Sequence, residues 1–434
     1  NTASNVTVDG GSASVGAGVV AEFAKLGRAL ANSVVLDQGA EVVDAPPNLS
    51  ANEATGVHGM GGLAAGNSVL VGSASRVSGA AVIVQDNHAQ DVSATGFSGS
   101  AGAGLIASIA QKSLALANTL AVFASNVTGT VTLLGNRVIA LVSNGGTAQA
   151  NSASIERGEG DASRLAGTVA ITDNRASNVS SGARSSSGAG HAFSTEMDAR
   201  AAANALVLKD GARLDSAGTL SIAGNQASFL EAVGGTVLVN SLAAYRGATV
   251  AAPVSLRDNV ASNVSAGGGS SQVVGVGRNR NGVVAVNGLY LDGGDAGAVS
   301  LRNTPATLIG NTAQQINANG GRINTNALAI NGTGSVSGGS FFAQGNSALR
   351  VSSEGSEGTV LGYAAIDRGV GSANANALQV LGRLTDSTVG LMRNQATDVR
   401  AEKGLAAANS VVIDKDGSIA NAPVGLASNQ ANGV

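Results

Sequence analysis

The chain has 434 residues, of which 62 are Gly, none is Cys or Trp, and 2% are aromatic. That composition excludes a disulfide framework, a Cys-ligated zinc or iron–sulfur centre and a core built on large rings. Charged residues are 12% of the total and the formal net charge is −3, which excludes the broad basic field of a nucleic-acid binder, while 44% hydrophobic residues is too apolar for a disordered chain.

The chain opens on Asn1 in "NTASNV", a piece of a motif that returns along the whole length. A Gly- and Ser-rich stretch, "DGGSASVGAGVVAEFAKLGR", leads to "ANSVVLD" at Ala31 to Asp37, which places a first type of Asn at Asn32. That Asn returns at Asn67, Asn118, Asn151, Asn204, Asn240, Asn287, Asn326, Asn376 and Asn409. Residues two and four places after it are small or aliphatic, the alternation of a strand with one buried face. About twenty residues further on stands a second type of Asn, at Asn52, Asn87, Asn136, Asn174, Asn225, Asn259, Asn311, Asn346, Asn394 and Asn429, with Asn1 in the same phase. Two places after it comes Ala in ten of eleven copies, Val138 being the exception, and five places after it always Val, Leu or Ile. An Ala so regular marks a place with no room for more.

Short and long connections alternate without a miss from each second-type Asn to the next first-type Asn: 31, 15, 31, 15, 30, 15, 28, 15, 30 and 15 residues. Five super-repeats of about 86 residues result, at approximately 1–86, 87–173, 174–258, 259–345 and 346–434 of one domain spanning 1–434. Short β-patterned segments with Gly and Asn corners at a fixed period predict an all-β fold, a parallel β-solenoid of about ten rungs with Gly/Ser-rich inserts on alternate rungs. In such a coil equivalent residues stack about 4.8 Å apart, so the Asn residues are expected to form ladders at corners, where Asn tolerates a left-handed backbone and its amide both donates and accepts. The spacing suggests three strands per rung, with a thinner coil of two rungs per unit as the alternative, and inserts entering about 9.6 Å apart and packing as a flange along one edge.

Chemistry-bearing residues are sparse. His58, His88 and His191 fall at different phases, and Asp292 with Asp295 and Asp414 with Asp416 stand in Gly-containing turns where Asp serves the backbone. Neither pattern assembles a metal site or a catalytic triad, and no calcium nonapeptide, EF-hand or phosphate loop is present, so no catalytic residue, cofactor or metal is expected. Each insert carries a basic residue shortly before the next first-type Asn, which defines a candidate ligand stripe of Lys25, Arg28, Lys112, Arg200, Arg280 and Arg368, with Arg278 beside it. Such a stripe would meet an acidic polysaccharide, a cell surface or a neighbouring rod. Glu22, Asp198 and Asp367 close by offer intramolecular pairing as the alternative. Six N-x-S/T sequons occur, and those at Asn5, Asn178 and Asn263 share one repeat phase. The 24 uncharged residues between Lys112 and Arg137 contain three Asn and span one repeat, so no membrane span is expected.

The cysteine-free, Gly/Asn/Ser/Ala-rich β-repeats resemble the secreted bacterial β-helical surface proteins: filamentous-haemagglutinin-like adhesins, autotransporter passengers and solenoid filaments. That resemblance rests on architecture over the whole chain, and implies a secreted protein, extracellular or on the cell surface. A start inside a repeat and without Met is expected where a signal segment lies outside the sequence. The matching phases of Asn1 to Val6 and Asn429 to Val434 suggest either a window of a longer solenoid or, slightly favoured, assembly ends that stack head to tail. The leading expectation is a structural subunit of an extracellular filament, a head-to-tail homopolymer with itself as partner. A non-catalytic adhesin binding through the insert edge comes second and a polysaccharide-degrading enzyme third.

Overall fold

A computed structural model describes residues 1–434 except 9–12, 16–19, 22–27, 61, 73, 96–98, 102–105, 110–112, 145, 157–162, 183–191, 196–198, 234, 268–277, 280–282, 294–296, 320, 355–364, 367–371, 403–404 and 414–416. The second rung shows how the sequence builds the coil. Glu53–Met60 forms the first sheet's strand, Leu63–Gly66 the second's, Val69–Val71 the third's, Arg76–Ser78 the fourth's and Val82–Gln85 the fifth's, after which His88–Thr95 starts the next rung on the first sheet. Every rung repeats this course. The result is a parallel β-solenoid whose first sheet has eleven strands and whose other four have ten each. Pairing is parallel and in register, as in Ala54↔Ala89 and Val57↔Val92 of the first sheet, so like residues stack.

Five strands per rung replace the three that the alternation suggests. The two extra strands sit where alternation is hardest to read. In the fourth sheet they are only two or three residues long, as at Asn126–Val127 and Arg164–Leu165. In the second sheet both faces are buried, so no polar face marks the period.

The inserts enter at one corner, between the first and second sheets. Long connections there, such as Thr95 to Ser113 and Gly182 to Ala199, alternate with tight ones, such as Met60 to Leu63 and Asn144 to Gly146. Backbone segments of neighbouring inserts pair in parallel: Ala13–Val15 with Gly99–Ala101, Ile106–Ile109 between Val20–Ala21 and Ala192–Thr195, and Arg278–Asn279 with Ala365–Ile366. Strands leaving rungs about 9.6 Å apart thus meet at hydrogen-bonding distance, about 4.8 Å, rather than as packed layers.

Inside, the coil is not one core but two. Leu and Val of the third, fourth and fifth sheets, including Leu120, Val122, Val127, Val131 and Leu133, fill a wide lobe. The first and second sheets enclose a thin lobe of Ala and Val, including Ala54, Val57, Ala64, Ala89 and Val92. The recurrent Ala two places after each second-type Asn lies in the thin lobe. Space there is short: a Cβ added to Gly66 would meet the Ala54 Cβ at 3.1 Å and Val92 Cγ2 at 3.4 Å. A Leu at such a position overpacks the lobe even though it adds apolar surface. Ala313→Leu should therefore lower stability by about 2–3 kcal/mol, read as a lower urea midpoint at unchanged slope, and a neutral midpoint would show that the lobe has room.

Candidate functional site

The two Asn types stand where the two lobes meet, and almost all are fully buried. Each first-type Asn turns the chain between the second and third sheets, with φ between 46° and 52°. Its side chain points inward rather than out of the corner. The Asn67 amide donates to Asn118 Oδ1 on the next rung (3.1 Å) and, across the interior, to the His88 carbonyl at the head of the first-sheet strand (2.9 Å). The row runs unbroken as Asn32, Asn67, Asn118, Asn151, Asn204, Asn240, Asn287, Asn326, Asn376 and Asn409, each Nδ2 donating to the following Oδ1 at 2.9–3.2 Å.

The second row closes the opposite side of the waist. It links Asn52, Asn87, Asn136, Asn174, Asn225, Asn259, Asn311, Asn346, Asn394 and Asn429 at 3.0–3.1 Å, again with every Nδ2 donating to the next Oδ1. Each of these amides ties three rungs together. Asn225 Nδ2 donates forward to Asn259 Oδ1 and back to the Ile171 carbonyl (2.7 Å), while its Oδ1 accepts both the Asn174 backbone N–H (3.0 Å) and Asn174 Nδ2. Asn1 stands at the head of this row, its ammonium donating to Asn52 Oδ1 (3.1 Å). At this corner the left-handed residue is not the Asn but its predecessor: Ala51, Asp86, Gly135, Asp173, Gly224, Asp258, Gly310, Gly345, Arg393 or Ser428. The expected left-handed Asn therefore holds for one row only, and the second row uses Asn for its amide alone.

A second buried region lies outside the coil. The outer faces of the second and third sheets are themselves packed, as Ala202, Val207, Leu238, Ala243, Ala285, Tyr290 and Ala329 in one cluster, and Ala65, Leu70, Leu116 and Ala121 in another. Within a rung a small residue faces a larger one: Ala65 with Leu70, Leu116 with Ala121, Leu238 with Ala243, Ala285 with Tyr290. Amides take these positions in other rungs, and among them Asn324 Nδ2, Asn374 Oδ1 and Gln379 Oε1 are buried without a hydrogen-bond partner.

Two members of the candidate stripe fall among the described residues, and both lie in second-sheet strands of the coil body. Arg28 pairs with Asp37 at 3.9 Å. Arg200 lies over the Tyr245 ring, 5.2 Å from its centroid, and Tyr245 meets Tyr290 at 5.7 Å between centroids. Lys25, Lys112, Arg280 and Arg368 lie outside the described residues, as do His191, Asp295, Asp414 and Asp416. Around Arg200 sequence reasoning missed a network. Lys209 Nζ lies 3.7 Å from Glu156 Oε2, Arg246 Nε donates to Asp210 Oδ1 (2.9 Å), and the Tyr290 hydroxyl donates to Asp292 Oδ2 (3.1 Å). Its signal in the sequence is that Lys209, Tyr245 and Asp292 stand at one phase of the repeat. Burial, and after it the Arg200 guanidinium, lower the Lys209 ammonium to about 8. Burial and then the Asp292 charge raise the Tyr290 hydroxyl well above its usual range.

His58 shares a 2.7 Å hydrogen bond with Ser93 on an exposed sheet face, and no group of three metal-ligating side chains occurs among the described residues. No helix among the described residues is long and apolar enough to cross a membrane. No protein-family model, curated protein or solved structure matches the chain.

Two measurements probe the rows and the outer network. Asn225→Leu removes the acceptor for two buried N–H groups of Asn174 and should cost about 3–5 kcal/mol, with faster hydrogen exchange at the Asn174 amide; an unaltered melting curve would deny the row its role. The second concerns Lys209. From its folded value near 8 up to about 10.5 the unfolded chain binds the extra proton, so stability should rise with pH through that window. Lys209→Met should flatten that rise and stabilise the fold at pH 7 by about 1–3 kcal/mol, as read from melting temperatures across pH 7–10.

Proposed function

We propose that the protein is a non-catalytic structural subunit of an extracellular filament or matrix fibre, extended by rung-on-rung, head-to-tail stacking of copies. One observation supports this reading above others: both Asn rows point the same way along the entire coil. In both rows each Nδ2 donates to the Oδ1 of the following rung, so a rung offers acceptors toward the rung before it and donors toward the rung after it. Such faces complement each other only in the head-to-tail sense, the heterologous arrangement that generates fibres rather than closed dimers. Aligned amides also polarise their neighbours, so a longer row binds a further rung more firmly. The composition and its resemblance to secreted bacterial β-helical surface proteins support an extracellular setting.

A second reading, a surface adhesin that binds through the insert edge, draws support from the parallel pairing of neighbouring inserts, which offers an ordered edge. Electron microscopy and sedimentation of the 434-residue chain over a range of concentrations separate the two. The filament reading expects fibres whose critical concentration rises at least about tenfold in Asn409→Asp with Asn429→Asp. Each new carboxylate still accepts from Asn376 or Asn394 but has no N–H for an incoming rung. Discrete rods at every concentration would reject the filament, and fibres indifferent to the double variant would reject stacking through the rows.

A further inference from the structure

Among the described residues away from the first and last rungs, the large apolar side chains left exposed are Met60, Phe229, Val233 and Val260, and all four stand on the outer face of the first sheet. Phe229 is the outlier among them. It is 59% exposed and its φ is 57°, a left-handed conformation that a bulky side chain disfavours. The same position in other rungs is held by Asn5, Gly56, Asp91, Asn178, Asn263, Asp398 or Gly433, residues suited to it, and elsewhere by Ala140, Gln315 or Arg350. Phe229 joins none of the packed clusters among the described residues.

The register places Asn178 one rung before the ring and Asn263 one rung after it, with Ser177, Ser228 and Ser262 stacked in the adjoining column. On the outer face of these three strands the charges are Arg175 and Glu231, one of each sign. Val233 and Val260 stand four and three residues away along the strand direction, about 10–13 Å, so the ring is an isolated platform. The three side chains together expose on the order of 250 Å² of apolar surface, against about 800 Å² per partner for a stable protein interface. That area is too small for a second copy of the chain. It suits one sugar ring, whose apolar C–H face stacks on the phenyl ring while its hydroxyls reach amides and hydroxyls on either side.

We propose that Phe229, with Asn178 and Asn263 flanking it, is a binding site for a neutral polysaccharide strand laid on the first sheet. The balanced charge of the face favours a neutral glycan over an acidic one. This site is separate from the axial faces, so it stands or falls independently of the filament reading, and fibre formation should be unchanged in its variants.

Calorimetric titration of the full chain with cellohexaose, chitohexaose and laminarihexaose, and with hexagalacturonate as the acidic comparison, tests the proposal. At least one neutral probe should bind, Phe229→Ala should weaken it about tenfold or more, and Phe229→Tyr should stay within about threefold. Phe229→Asn, which restores a residue suited to the left-handed backbone, should abolish binding while raising the melting temperature by about 1–2 °C, so loss of binding cannot be ascribed to unfolding. The proposal is overturned if no neutral probe binds at about 10 mM, if the acidic probe is preferred, or if Phe229→Ala binds as the wild type does. Self-association that disappears in Phe229→Ala, without sugar binding, would assign the platform to a second copy instead.

Discussion

Everything in this coil depends on rows of buried amides that are satisfied by their copies one rung away and by carbonyls of the neighbouring strands. A buried primary amide has two N–H groups and an oxygen to place, and leaving any unpaired costs about 1–3 kcal/mol. In the second row every demand is met by the same residue type above or below and by a carbonyl of the preceding rung. The solution works only if the Asn recurs in register, which is why insertions of different length enter elsewhere. Spacings of 15 and of about 30 residues between the second-type and the next first-type Asn alternate across the corner between the first and second sheets without shifting a single amide. Register is fixed at the waist, and the inserts hang from a corner that carries no amide row.

The same rows explain the unusual composition. A polar waist divides the interior into two lobes, and each is too narrow for large side chains. Ala and Val, with a few Leu and Ile such as Leu141 and Ile316, fill the thin lobe and mainly Leu, Ile and Val the wide one, while Phe341 is the one ring among the largest fully buried side chains. Size complementarity continues outside, where Ala285 makes space for Tyr290 and Ala243 faces Leu238. Low aromatic content thus follows from the section of the coil.

Much of this was legible in the residues. Asn at two fixed phases, an Ala two places after the second and an aliphatic residue five places after it gave the parallel solenoid, the rung number and the alternation of inserts. What stayed hidden has physical causes. Alternation cannot reveal a strand buried on both faces, such as Ser113–Ala117, or one of two residues, such as Asn126–Val127. A left-handed backbone is advertised by Asn or Gly, but Ala51, Arg393 and Ser428 adopt it because the Asn rows hold the corner regardless. The network around Arg200 draws on rungs about fifty residues apart in the chain, where nothing local announces a contact.

The contrast between Asn178 and Phe229 shows how such a regular molecule can be read for function. Asn178, Asn263 and Asn5 each begin an N-V-S or N-V-T sequence, yet the repeat alone accounts for it: Asn suits the left-handed position, Val fills the thin lobe, and the hydroxyl faces solvent. A motif that the architecture already requires carries little information about modification. Phe229 is the reverse, since the left-handed backbone at its position disfavours a bulky side chain and its ring stays largely exposed outside the packed clusters. In a repeat protein the regular residues report the fold, and the residue that breaks the rule at its own expense is where a ligand should be sought.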